Sequence, residues 1–197
     1  MRESTLQDSR PHRMNPPGDD FRSPDTLTPA ALGDHLAHLV WENFTDFIAS
    51  DDAEIPVEDL GVPTNDGLPS PRTVEEALIF LMWAHTRGAQ LAFVGRAPDD
   101  LLREALDVLH NAIFEDLAEH GTPRSYLPLF EQHVAARYAE YHQAAEASDE
   151  QLGRAVASHL TGESPEGMEL PAGLAERARA AASPLRDFLE EIELVEA

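Results

Sequence analysis

From about residue 28 onward, apolar residues return every three or four positions, and no segment alternates apolar and polar over any length. A spacing of three to four lines up one face of an α-helix, whereas a half-buried strand needs a period of two. The pattern predicts five helices, each with a start or stop signal. The first opens with Thr28 as N-cap and Pro29 at the first helical position, and runs to about Ser50. A capping box, Thr73 with Glu76, starts the second, which continues to Val94 and ends at Gly95. Pro98 and the acidic pair Asp99 and Asp100 suit the N-terminus of the third, which stops at Gly121. The fourth covers roughly residues 125–147. Ser148 with Gln151 makes another capping box, opening a short fifth helix that closes at Gly162. A last helical region is expected over 172–195, broken near Ser183-Pro184. The expected class is all-α: a single-domain bundle of five to six helices.

Two stretches fall outside this periodicity. Residues 1–26 are polar, carry Pro11, Pro16, Pro17 and Pro24, and read as a flexible arm before a helical domain over 27–197. Residues 51–72 hold Pro56, Pro63, Pro69 and Pro71 around Asn65-Asp66-Gly67, a turn signature. That connection is long for a helical bundle, and a packed structural loop is the expectation.

The helix faces differ in character. On the first helix Leu36, Val40, Phe44, Phe47 and Ile48 share a face with Trp41 at its edge, opposite His35, His38, Glu42 and Asp46. The third presents Leu102, Leu106, Leu109, Ile113 and Leu117, and the fourth Phe130, Val134, Tyr138 and Tyr141. There Arg137 reads as a local pair with Glu140. The second helix is apolar nearly all round. Leu78, Leu81 and Met82 form its main face, but Ile79 and Trp83 stand inside the polar stripe of Glu75, Glu76, Thr86 and Arg87. Such a helix is either central to the fold or covered on its second side by a partner. The first reading makes it the hub of the bundle; the second makes Ile79 and Trp83 a homodimer interface.

Composition narrows the chemistry. All fourteen basic side chains are arginines, against thirty-seven Asp and Glu, for a formal net charge of −23; there is no cysteine. Lysine Schiff bases, P-loop lysine contacts, thiolate nucleophiles and cysteine-ligated zinc are therefore excluded. This field disfavours direct binding to nucleic acid or anionic membranes and suits a basic protein partner, divalent cations or mimicry of nucleic acid. Adaptation to concentrated salt would give the same balance, and so would a GC-rich genome. Ala77–Val94, the most apolar stretch, is interrupted by His85, Arg87 and Gln90, so no membrane span is expected. Residues 1–20 hold no signal-peptide core, and the expectation is a cytoplasmic protein.

Nine histidines raise the question of a metal. His85, on the second helix, and His110 with Glu115, on the third, are the candidate ligands for non-haem iron or zinc between helices. His38-x3-Glu42 and His110-x4-Glu115 resemble hemerythrin-like bundles at that level only. The His-x3-His pair of those proteins is absent, as are the Glu-x-x-His repeats of ferritin-like proteins. No Gly-x-Ser-x-Gly elbow, glycine-rich phosphate loop or EF-hand loop is present. The reading is an acidic all-α interaction or regulatory protein, self-associating or bound to a protein partner, with no catalytic activity and no cofactor. A metal-binding bundle enzyme or carrier is the alternative, and a nucleic-acid mimic the second.

Overall fold

The computed structural model describes residues 25–48, 64–65, 68–162, 185 and 188–196. The arm over 1–24, most of the loop over 51–63 and the start of the last expected helix lie outside them. Five long helices carry the fold: α1 (Pro29–Ile48), α2 (Pro71–Phe93), α3 (Asp99–Glu119), α4 (Leu127–Ala147) and α5 (Asp149–Thr161). Leu185 and residues 188–190 are also helical. The chain is an all-α bundle, with two minor strand pairs among the described residues.

Helix α2 is the hub. It packs against α1, α3, α4 and α5, and residues 77–83 are buried without a break through almost two turns. Each large apolar side chain buried there contributes roughly 1.5–3 kcal/mol, which outweighs differences in helix propensity of a few tenths. Ladders of contacts fix the directions. Gly33 meets Ala105 and Val108, and Trp41 donates its indole N–H to Asp116 at 2.7 Å, so α1 and α3 run parallel. Glu75 meets His133 and Trp83 meets His142, so α2 and α4 run parallel as well. Ser148 caps α5 by accepting from the Gln151 N–H, and folds α5 back along α4.

Helix α2 starts earlier than its Thr73–Glu76 signal suggests. Ser70 is the N-cap and accepts from the Thr73 N–H at 3.1 Å, with Pro71 at the first helical position. Thr73 instead donates its hydroxyl to the Leu160 carbonyl of α5, and Glu76 turns to α4. Of the expected turn signature, Asn65 belongs to a short strand β2 (Thr64–Asn65) that pairs antiparallel with β3 (Leu68–Pro69), Asn65 opposite Leu68; Asp66 and Gly67 lie outside the described residues.

The last expected helix does not run to residue 195. Residues Ile192–Leu194 form β4, parallel to β1 (Asp25–Leu27), with Asp25 opposite Ile192 and Leu27 opposite Leu194. Two residues assigned to the arm, Asp25 and Thr26, thus belong to a strand. The period-two signal is present but short: Ile192 and Leu194 are buried and Glu193 between them is exposed.

A polar layer, an ion-paired seam and an open cleft

Two histidines sit inside the bundle at adjoining levels. His85 is 1% exposed. Its Nδ1–H donates to the Leu81 carbonyl one turn back at 2.8 Å, which leaves Nε2 to accept from the Asn43 amide of α1 at 3.0 Å. His110 repeats the device on α3. Its Nδ1–H donates to Leu106, and Nε2 accepts from the Tyr138 hydroxyl of α4 at 2.9 Å. Tyr138 has then used its proton, so the Thr86 hydroxyl is the donor in the 3.3 Å contact between them. Burial, which disfavours the charged ring, holds both histidines below the ordinary imidazole pKa. The layer links all of α1 to α4 through neutral groups whose tautomers are fixed by their partners.

This arrangement does not bring the three candidate metal ligands together. His85 and His110 are each engaged by protein partners through both ring nitrogens, and Glu115 faces solvent on α3. Among the described residues, no three His, Asp or Glu side chains gather where they could hold a metal ion. His38 and Glu42 form an exposed pair at 3.2 Å, as their position on the outer face of the first helix implies.

A second polar set joins α2 to α4 and α5. Arg137 grips Glu76 with two parallel bonds, Nε to Oε2 and Nη2 to Oε1, both 2.8 Å, and the Glu76 side chain is 4% exposed. Burial pushes the Glu76 carboxyl up, but the hydrogen bonds and charge of Arg137 overcome it and hold it below its ordinary value. Glu140, the partner expected for Arg137, stands farther off at 3.7 Å and binds His159 of α5 at 2.9 Å. Toward the start of α2, the Glu75 carboxylate accepts from the Tyr126 hydroxyl and from His133 Nδ1–H. The set is a structural weld. It offers no nucleophile beside a base, and each acid is matched by a donor.

The buried Glu76–Arg137 pair escaped sequence reading, though a signal was there. Glu76 shares a stripe with Ile79 and Trp83; once those imply a covered side, the acid among them needs a cation. Ile79 and Trp83 are 0% and 4% exposed within one chain. Trp83 packs edge-on against Tyr141 and His142 of α4. Helix α4 covers the second side of α2, so these two residues are core and not a surface for a second copy.

The third feature lies at the C-terminal half of α2. Ala84, Gly88, Leu91 and Ala92 of α2 and the buried Leu185 and Leu189 of the C-terminal segment line an open cleft of about 520 Å³. Leu185 packs directly onto Gly88: a Cβ there would fall 2.7 Å from Leu185 Cδ2 and push that side chain aside. Arg96 closes one end. Its guanidinium donates to the carbonyls of Ala92, Leu189 and Ile192 and so ties α2 to the C-terminal segment. Leu91 stands on the rim at 59% exposure, and Val94 follows at 75%. No known family, curated protein or solved structure matches this chain. The site has to be read from its own geometry. No helix among the described residues is long and apolar enough to cross a membrane.

Proposed function

We propose that the chain is an acidic helical interaction protein that works by binding a protein partner and not by catalysis. One observation carries the reading: an open apolar cleft with Leu91 and Val94 exposed beside it, on a chain whose formal charge is −23. Apolar side chains grouped at a concave surface mark binding sites far more often than isolated exposed ones do. The titratable groups support the same reading, because the polar layer and the seam spend theirs on holding helices together.

Self-association would have to use surface residues such as these, since Ile79 and Trp83 are enclosed. At this charge it would strengthen as salt screens repulsion between copies. Light scattering at low and high salt tests that form. The general reading is tested by affinity capture from the native lysate with the wild type and with a Leu91→Gln/Val94→Gln variant. A stoichiometric partner lost on the variant is the expected result; the same recovery from both proteins, or none from either, would count against it.

A further inference from the structure

Helix α1 lies along α3 and is tied to it by the Trp41–Asp116 bond. Its N-terminal end is anchored to the C-terminal segment by the β1–β4 ladder and by His35 stacked on Phe188. Toward its C-terminal end α1 meets α2, and the polar bond there runs from Asn43 to His85. The ion pairs between helices among the described residues join α2 to α4 and α4 to α5, and none reaches from α1 to α2. We infer that the α1–α2 contact is a pH-operated joint: when His85 gains a proton, α1 rocks on α3 and its C-terminal half parts from α2. The rest of the bundle stays assembled.

The geometry separates the two buried histidines. His85 Nδ1–H is committed to the Leu81 carbonyl, so an incoming proton must go to Nε2, where the Asn43 amide already points a donor. Two donors would then face each other at 3.0 Å. Asn43 is buried and makes a further contact, so its amide is not free to turn over. Among the described residues no acid answers the new charge. To this level α1 brings the Asn43 amide and α2 the Leu81 carbonyl, while His110 of α3 and Tyr138 of α4 bond to each other. Asp107 acts on His110, and Arg87 and Glu146 act on His142, but none of them on His85. His110, by contrast, has an outlet. Its Nε2–H would donate to the Tyr138 oxygen, Tyr138 would turn its own proton to Thr86, and the bond between α3 and α4 would reverse and hold. The charge on His85 is thus resisted in the closed form and accepted in the open one, where water solvates it. Opening takes up one proton, so each unit of acidification below about pH 6.5 raises the open-to-closed ratio about tenfold.

The chain has no cysteine, so pairs introduced at exposed positions take spin labels cleanly. Asp46→Cys/Ala139→Cys spans α1 and α4, and Asp46→Cys/Glu119→Cys spans α1 and α3. Between about pH 7 and pH 5, double electron–electron resonance should show a longer distance growing in for the first pair and a steady one for the second. Helical circular dichroism should not change. In the first pair His85→Gln keeps an acceptor for Asn43 but cannot titrate, and should hold the short distance throughout. Asn43→Asp offers the protonated ring a carboxylate and should do the same; if one of these variants does not fold, the other decides. His110→Gln should leave the response as it is. A single short distance at every pH would overturn the inference. So would lengthening that persists in His85→Gln, which would place the sensor elsewhere, at His35 for example. Lengthening of both pairs with loss of helical signal would be global unfolding, and would overturn it as well.

Discussion

Removing Arg137 would leave the carboxylate of Glu76 inside the bundle with no counter-charge, and that asymmetry sets the sharpest expectations. Breaking a buried pair from one side costs about 3–5 kcal/mol, whereas replacing both partners with apolar groups is often near neutral. Arg137→Met should therefore destabilise strongly, Glu76→Gln less, and Glu76→Leu/Arg137→Met should recover most of the loss. Urea denaturation of the four proteins checks it; losses that simply add would mean the two residues are not coupled. The histidines make a second expectation. His85 has its pKa lowered from 6.5 by burial. Its contribution to stability is complete above that value, and is lost as the pH falls because the unfolded chain takes up a proton the folded one resists. Glu76, held below 4.5, contributes fully above that pH and loses its contribution as the pH falls further. The urea midpoint should decline in two stages, first below about pH 6.5 and again below about pH 4.5, and His85→Gln should flatten part of the upper one. A midpoint constant from pH 7 to 5 would show that His85 gains its proton without cost.

Between elements, the tightest approach is α1 on α3. A Cβ on Gly33 would fall 2.5 Å from the Ala105 carbonyl oxygen and from Val108 Cβ. Backbone cannot yield there cheaply, so Gly33→Ala should cost on the order of 2 kcal/mol despite alanine's better helix propensity. Thermal melts decide the sign. Ser70→Ala should cost about 1 kcal/mol through the lost cap of α2, and a silent Ser70→Ala would return the start of that helix to Thr73. The helices themselves were legible because burial on one side imposes a period that Leu36, Val40 and Phe47 or Leu109 and Ile113 display openly. What was not legible depends on partners distant in the chain. Two cap signals compete at the start of α2, and Thr73 and Glu76 leave theirs because Leu160 and Arg137 claim them. Ile79 and Trp83 announced a second covered side, but nothing local could say that α4 covers it. The cleft was hidden for the same reason: its floor reads as ordinary helix until Leu185 and Leu189 arrive opposite.

For the molecule as a whole, a charge of −23 acts on every compact state at once. Self-repulsion weakens folding when screening is poor, and the Debye length falls from about 30 Å at 0.01 M salt to about 3 Å at 1 M. The melting temperature should rise through that range with sodium chloride; a flat response would mean that self-repulsion does not limit the stability of the fold. The parallel pairing of β1 with β4 has a different consequence, one of mechanics. Asp25 N–H bonds to the Glu191 carbonyl at one end of the ladder, and Val195 N–H to the Leu27 carbonyl at the other. Tension applied before residue 25 and after residue 196 would pull the two strands along their own length in opposite directions. The bonds between them would then bear the load together in shear, not open one after another like a zip. Under an optical trap the strand pair should hold until its bonds fail in a single step, and only then pass the force on to the helices.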